Sequence, residues 1–194
     1  MTTVETRTRD RGATERRILA EATRLFAADG YGQVGMRAVA AAAGVNVALV
    51  HRYFGSKLGL FDAVLSADGN EPPDLAAIPL AELPRRLAEY ATSPGRDPGS
   101  PVLQALNRSG VVPEVRDLLR ERWKRALLVP LSRRLSGPHA QTRAALCAMV
   151  IMGVGTGRMV LGEDAPAPAD LTDRLTDVFR ACIECPEQAR GTDG

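Results

Sequence analysis

Apolar residues recur every three or four positions along most of the chain, and short breaks containing Gly, Pro or Asp separate these stretches. This spacing places the apolar side chains on one face of an α-helix. The first stretch runs from Thr14 to the break at Asp29-Gly30, and its apolar face is Ile18, Leu19, Ala22, Leu25 and Phe26. No segment shows the two-residue alternation of a β-strand, so the pattern predicts an all-α fold.

Short segments follow this first helix. The pattern predicts helices at 36–43 and 46–53 and the start of another at Lys57, with Asn46 and Ser56 as N-caps. Only a few residues, including Gly44, separate the first two of these helices. Such an arrangement is typical of a helix-turn-helix, whose second helix enters the major groove of DNA. The local pattern alone also fits a small helical bundle with no role in DNA binding.

A loop rich in Pro and acidic residues, 68–79, indicates a domain boundary. Beyond it the pattern predicts helices at 80–92, 101–109, 114–135, 139–161 and 169–184, with a kink or a split at Pro130. The chain is therefore divided into a flexible basic arm (1–13), a helix-turn-helix domain (14–61), a larger helical domain (62–185) and a disordered tail (186–194).

The net charge is distributed unevenly. Residues 1–61 hold nine Lys and Arg against five Asp and Glu, a net charge of +4, whereas the rest of the chain carries −2. A positive N-terminal third suits an anionic partner such as nucleic acid, although a solvated charged surface gives the same count.

The composition also bears on the compartment. The first residues lack the apolar segment of a secretory signal, and no run of about 18 apolar residues lacks a charge, so no membrane span is expected. Three cysteines make an odd number, and without export they stay reduced. We expect a cytoplasmic protein.

The segment 26–61 resembles the TetR family of bacterial repressors. The matching positions are Phe26, Gly30-Tyr31, Val39-Ala40, Ala43-Gly44-Val45, Tyr53-Phe54, Ser56-Lys57 and Leu60. The resemblance implies an N-terminal three-helix helix-turn-helix domain plus a larger helical ligand-binding and dimerisation domain. It further implies a homodimeric transcriptional repressor that binds a palindromic double-stranded operator and is released by an apolar small-molecule effector.

The resemblance assigns contact types on the DNA. Arg37 matches a base-contacting family position, and arginine is suited to a bidentate bond with guanine. The predicted base-reading residues are Arg37, Val47 and Ala48. The predicted phosphate-binding residues are Lys57, Tyr53 and Asn46. His51 and Arg52 are expected to reach either a base edge or a phosphate. Two positions depart from the family: Gly35 replaces a Ser or Thr N-cap, and His51 replaces a Tyr. The arm residues Arg7, Arg9 and Arg11 either reach a groove or remain solvated.

The second domain contains a run, 144–157, that is apolar on every side, which predicts a helix buried all round. Its small residues let a partner helix approach closely. With Leu171, Leu175, Val178, Phe179 and Ile183 it forms either a dimer face or the core of the same subunit. The predicted effector pocket is mainly aliphatic, with ordinary core as the alternative, and its candidates are Leu87, Tyr90, Leu103, Leu106, Trp123, Leu127, Met149 and Met152.

The sequence lacks the residue patterns typical of metal-binding proteins and of enzymes. Cys182 and Cys185 form a Cys-x-x-Cys, but zinc needs four ligands, and packing on one helix face explains the pair, so no metal is expected. There is no nucleophile elbow, no HExxH and no glycine loop after a strand, so neither a cofactor nor an enzyme is predicted. A protein-binding module is the remaining alternative. The apolar start of the second motif helix favours it, and the positive N-terminal third opposes it.

Overall fold

The computed structural model describes residues 3–67 and 71–184, with side chains described from residue 11 onward. Throughout this part of the chain the regular elements are helices and no strand occurs, which confirms the all-α prediction. The α-helices are α1 (Thr3–Gln33), α2 (Met36–Ala42), α3 (Val47–Phe54), α4 (Lys57–Leu65), α5 (Leu83–Ala91), α6 (Pro101–Ser109), α7 (Pro113–Trp123), α8 (Val129–Arg134), α9 (Ala140–Leu161) and α10 (Pro168–Ile183).

The chain forms two compact units. The first contains residues 1–70 and 99–118, and the second contains residues 71–98 and 119–194. The sequence analysis placed the helix at 101–109 in the second domain, whereas in the structure α6 packs against α1 in the first unit. An apolar face reveals that a helix is packed but not which helix covers it, so the pattern did not identify this pairing.

Helix α1 begins earlier than predicted. Residues 3–13, assigned to a flexible arm, form its first turns. These residues have no apolar period, but adding turns to a helix that already exists avoids the cost of nucleation. The predicted break at Gly30 is confirmed, because this residue has φ 75° and ψ 162° and interrupts the helical conformation.

Three aromatic rings form the centre of the first unit. Phe26 on α1 lies 5.1 Å from Phe61 on α4 and 5.9 Å from Tyr31, and Tyr31 lies 5.3 Å from Phe61, as measured between ring centroids. Both contacts of Phe61 are edge-to-face, the geometry that the ring quadrupoles favour. We call Phe26, Tyr31 and Phe61 the aromatic cluster. Around it lie the buried side chains Ile18, Ala22, Val39, Val50, Leu60 and Val64.

Helix α6 joins this core through a buried hydrogen bond. The backbone N–H of Tyr31 donates to Ser109 Oγ at 2.9 Å, and Ser109 is completely buried. The apolar face of α6 is also buried, with Val102, Leu103 and Ala105 inside. Since a buried N–H without a partner is costly, Ser109 satisfies the backbone at the point where α1 is interrupted.

The second unit has its own core, formed by α5, α8, α9 and α10. Between α7 and α8, residues Lys124–Leu128 adopt a π-helical turn. Pro130 at the start of α8 explains this turn, because proline lacks an N–H and its ring crowds the carbonyl four residues earlier. The predicted split of the 114–135 helix is thus observed. The largest fully buried side chains of this core are Phe179, Leu75, Leu83, Leu87, Leu127, Leu131 and Ile151.

Helix α9 is buried on one side only, whereas the sequence predicted burial all round. Its inner side includes Ala144, Cys147, Ala148 and Ile151. Its exposed apolar residues are Leu146, Met149, Met152, Met159, Val160 and Leu161.

This exposed surface bears on the expectation of no membrane span. By length and composition, the segment Ala140–Asp164 is the one described helix apolar enough to cross a bilayer, with a mean hydropathy of 1.8 and 28% of its apolar window buried. Its inner side packs against α5, α8 and α10. A helix that packs on one side and is apolar on the other also fits a protein–protein interface.

The two described cysteines lie on α9 and α10. Cys147 is completely buried, and burial, reinforced by the neighbouring Cys182, raises the pKa of its thiol to about 12. Cys182 is half-buried, and Cys185 lies outside the described residues. Among the described residues, no three His, Cys, Asp or Glu side chains form a group suited to a metal ion.

The burial of Cys147 predicts slow thiol chemistry. In a Cys182→Ser/Cys185→Ser variant, Cys147 is the remaining cysteine, and burial, the largest cause of the raised pKa of its thiol, keeps that thiol protonated at neutral and mildly alkaline pH. We expect Ellman's reagent at pH 8 to react with the folded variant only as fast as it unfolds, and at once in concentrated urea. Rapid reaction of the folded protein would contradict the packing of α9.

Removing a ring from the aromatic cluster tests the core of the first unit. Phe61→Ala is expected to lower the free energy of unfolding by about 3–5 kcal/mol, because it leaves a cavity beside Phe26 and Tyr31. Urea denaturation followed by circular dichroism measures the change. Val111→Ala is the matched control, since Val111 is 81% exposed. Equal stability of Phe61→Ala and the control would show that the cluster does not support this unit.

Candidate DNA-binding interface

Helices α2 and α3 are joined by a tight turn. Gly44 has φ +62°, a left-handed conformation that disfavours residues with a Cβ. The N–H of Val45 then donates to the carbonyl of Ala40 at 2.9 Å, which closes the turn onto α2. Together the glycine and this bond fix the direction in which α3 leaves α2.

The N-caps of the two helices differ. Asn46 Oδ1 accepts a hydrogen bond from the N–H of Ala48 at 2.8 Å, so the side chain caps α3 as predicted. Gly35 caps α2 with an extended backbone and no side-chain hydrogen bond. Phosphate oxygens accept hydrogen bonds, so the group of the Asn46 side chain that could bind a phosphate is its amide nitrogen, which the cap does not use.

Helix α3 has a packed side and an exposed side. Val50 is completely buried, and Val47 and Phe54 are half-buried. Val47, a predicted base-reading residue, lies one turn before Val50, so part of its side chain packs against the protein and part remains exposed. Ala48, His51 and Arg52 are exposed and are spaced three and four residues apart. We call Ala48, His51 and Arg52 the recognition face.

The recognition face carries two hydrogen-bonding side chains. His51 Nδ1 lies 3.1 Å from the carbonyl oxygen of Gly55, and because a carbonyl only accepts, Nδ1 carries the hydrogen. In the neutral ring Nε2 is then an acceptor. Arg52 is exposed, as is Arg37 on α2. These residues offer DNA both donors and an acceptor at predicted contact positions.

Lys57, the first residue of α4, lies next to the aromatic cluster. Its Nζ is 4.2 Å from the centroid of the Tyr31 ring, a cation–π distance, and the side chain is half-buried. Burial, together with a hydrogen bond to Glu114 and the charge of that carboxylate, raises the pKa of Tyr31, so the phenol stays neutral. Lys57 is therefore held in place while α4 presents its N-terminal amides beside it.

Arg11 contacts the motif from α1. Its guanidinium carbon lies 5.6 Å from the ring centroid of Tyr53 on α3. The sequence analysis named Arg11 only as part of an arm and missed this contact, since a helical α1 is needed to bring the two together. The side chains of Arg7 and Arg9 lie outside the described residues. Tyr53 is half-buried, so it shares its surface between the protein and solvent.

Sequence reasoning also missed Gly59. A Cβ built there would lie 2.3 Å from the carbonyl oxygen of Phe54, so no larger residue fits without a shift of the backbone. This close approach lets Ser56 cap α4, its Oγ accepting from the N–H of Gly59 at 3.0 Å. Gly59 stands between Ser56-Lys57 and Leu60, which match the family pattern, but it is not itself one of the matching positions.

The predicted effector-binding residues do not all come together. Leu87, Tyr90 and Leu127 are buried in the core of the second unit, and Trp123 packs against that core. Leu103 and Leu106 lie on α6 in the first unit. Met149 and Met152 are 54% and 43% exposed on α9. Because the 144–157 run is apolar on every side, its pattern does not indicate which side of α9 faces the core. The predicted α10 stripe is also divided, with Leu175, Phe179 and Ile183 buried, Leu171 half-buried and Val178 exposed.

Comparison with known proteins agrees with this architecture. Residues 18–64 match the model of bacterial regulatory proteins of the tetR family, and residues 81–183 match the model of the tetracyclin repressor-like C-terminal domain. No curated protein sequence matches the chain.

Several solved structures share the fold. One is NalD, the secondary repressor of the MexAB-OprM multidrug efflux pump of Pseudomonas aeruginosa, with 18% identity, TM-score 0.69, and 90% and 98% of the two chains covered. MexZ, a repressor responsible for antibiotic resistance in the same species, has 22% identity, TM-score 0.59, and 93% and 96% coverage. A Saccharomonospora viridis protein in complex with choline has 24% identity, TM-score 0.58, and 88% and 97% coverage.

Since the C-terminal family model alone covers more than half of the chain, and the N-terminal model covers the helix-turn-helix, the assignment rests on both units. The chain belongs to the TetR family of transcriptional regulators.

Proposed function

We propose that this regulator binds a palindromic operator as a homodimer, inserts α3 of each subunit into the major groove, and represses transcription until a small-molecule effector releases it. The observation that carries the proposal is the recognition face, which is exposed and partly basic while the opposite side of α3 packs into the core. Such a helix can place its exposed side chains in a DNA groove while its other side stays packed against the core.

The contacts divide into base reading and phosphate binding. Arg37 and Arg52 are exposed cations suited to guanine O6 and N7, and Ala48 offers a methyl group to thymine. Lys57 and the N-terminal amides of α4 supply a positive site for a phosphate. Arg11 and Tyr53 add a cation and a phenol hydroxyl beside α3. The positive charge of residues 1–61 supports the same assignment.

The exposed side of α9 supports the dimer. Met149 lies three residues after Leu146 and Val160 eleven residues after Met149, spacings that return to the same face of an α-helix and form one stripe. The three side chains are 42%, 54% and 76% exposed in the order Leu146, Met149 and Val160. A Cβ at Gly153 or Gly157 would meet no atom within 4 Å, so a second helix has room to approach. We propose that two copies of α9 pack through this stripe. A dimer also doubles the number of bases read, which a single short helix needs for specificity.

The second unit is the proposed effector-binding region. The sequence-predicted residues that remain together there are Leu87, Tyr90, Trp123 and Leu127. The choline-bound neighbour supports the view that this fold accommodates small molecules. An effector that changes the separation of the two recognition helices in the dimer would weaken their simultaneous fit to the operator.

Replacing Arg37 tests base reading. Arg37→Ala is expected to weaken binding to DNA from immediately upstream of the gene by about 1–3 kcal/mol while leaving binding to random DNA nearly unchanged. Fluorescence anisotropy with labelled duplexes measures both, and the affinity of the wild-type protein should fall steeply with salt.

Arg116→Ala is the matched control for this experiment, because Arg116 is an exposed arginine on α7 of the same unit. It removes one positive charge without touching α2 or α3. An equal loss of affinity in the two variants would show that Arg37 contributes only overall charge. Binding that is the same for both duplexes and insensitive to salt would favour a protein-binding module.

Placing a charge on α9 tests the dimer. Met149→Lys is expected to convert a dimer into monomers in sedimentation velocity, because burying an unpaired ammonium opposes association. Leu80→Lys introduces the same charge at a residue of similar exposure, 45%, outside α9, and should remain dimeric. A dimeric Met149→Lys variant would exclude this stripe as the interface.

A further inference from the structure

Arg96 is a buried cation in the second unit. It ends the short 3₁₀ helix Pro94–Arg96 that follows α5, and it is only 6% exposed. Moving a guanidinium out of water is costly unless carboxylates or carbonyls replace the lost hydration. The contacts of Arg96 therefore decide whether it has a structural role or awaits a ligand.

Those contacts leave the charge without a counter-ion. The guanidinium carbon lies 4.3 Å from the ring centroid of Tyr90 and 5.4 Å from that of Trp123. Its Nη2 donates to Tyr90 Oη at 2.5 Å, but its buried Nε has no hydrogen-bond partner. Within residues 71–98 and 119–184, no carboxylate forms an ion pair with it. Two aromatic faces and one neutral oxygen hold Arg96 in place without neutralising it.

The other shielded arginines of this unit are bound differently. Arg134 donates to the carbonyls of Leu75 and Ile78, and Arg143 donates to those of Ile183 and Ser136. Each of these arginines joins segments that are distant in sequence, which gives it a clear structural role.

Arg158 is also shielded, and it pairs with Asp97 at 2.6 Å. Asp97, the residue after Arg96, is thus engaged by a different arginine. The Nε of Arg143 is also buried without a partner, but the other nitrogens of that guanidinium reach carbonyls. Arg96 differs from all three, because its hydrogen bond is local and its charge has neither a carboxylate nor a carbonyl partner among the described residues of this unit.

We propose that Arg96 binds the carboxylate of an effector whose apolar body contacts Tyr90, Trp123 and the aliphatic core beside them. This inference rests on the proposed function, since it names the chemical class of the effector. A planar carboxylate matches the guanidinium fork, and its single negative charge balances a single cation, whereas a phosphate dianion calls for more donors.

Arg96 and Gly95 are buried, but exposed residues lie close to them in sequence. Pro94 and Gly99, on either side of it, are exposed, and Asp97 is half-exposed. Local opening of this short surface segment would admit an anion without disturbing the helices. Local opening of this kind is the least costly motion in a folded domain.

Trp123 is the only tryptophan of the chain, so its fluorescence reports on the proposed site directly. The probes are straight-chain carboxylates from butanoate to dodecanoate, each paired with its primary amide, and inorganic phosphate. The full-length protein is titrated with each probe. We expect at least one acid to bind saturably, about tenfold or more tightly than its amide and than phosphate.

Two variants at Arg96 and one control complete the test. Arg96→Met keeps an apolar chain between the two rings and should bind acid and amide equally. Arg96→Lys keeps the charge but loses the fork, and should lie between wild type and Arg96→Met. Arg133→Met removes an exposed arginine of the same unit and should behave as wild type. Melting temperatures without probe establish that each variant is folded.

The outcomes separate this proposal from the proposed function. Equal affinity for acids and amides, no saturable binding by any acid, or an acid preference that persists in Arg96→Met would each overturn the carboxylate site. Binding of phosphate as tight as that of the best acid would overturn the choice of carboxylate. Operator binding is measured separately by anisotropy. A protein that binds carboxylic acids but not DNA would contradict the proposed DNA-binding function and leave the proposed carboxylate site at Arg96 standing.

Discussion

The packing of Phe26, Tyr31 and Phe61 against one another is the interaction on which the DNA-binding unit depends. Their rings come from α1, the segment after Gly30 and α4, and they lie 5.1–5.9 Å apart. Tyr31 also carries Lys57 on its face and bonds to Ser109 through its backbone N–H. The same cluster therefore supports the core, holds Lys57, for which we propose phosphate binding, and joins α6 to the motif. With α1 and α4 held in this way, one side of α3 is buried and the other is left for DNA.

The second unit differs from the first, because arginine side chains are buried beside its apolar core and α9 leaves several apolar side chains exposed. Arg134 and Arg143 use buried guanidinium groups to satisfy backbone carbonyls between distant segments. Arg96 has no such partner, and α9 leaves a continuous apolar stripe exposed. Both features are costly in an isolated chain. A second subunit on the stripe and an acidic effector at Arg96 would each remove one of these costs.

The sequence predicted local structure well because its signals are local. Asn46 and Ser56 were identified as N-caps, and the break at Gly30 and the disruption at Pro130 followed from single residues. Partners distant in sequence were harder to predict. The apolar face of α6 did not reveal that it packs on α1, and the uniformly apolar α9 did not reveal that Met149 and Met152 face outward. Arg96 has no signal at all in the pattern, because its burial depends on Trp123, which lies far along the chain.

Footprinting of the wild-type protein on the DNA upstream of its own gene tests the central claim most directly. A homodimer reading the major groove with two copies of α3 predicts two protected half-sites related by a two-fold axis, with centres about 34–36 Å apart or a multiple of that spacing. The protection should disappear as salt is raised. Protection of a single half-site would contradict the dimeric reading, and uniform protection without a preferred sequence would contradict specific recognition by α3.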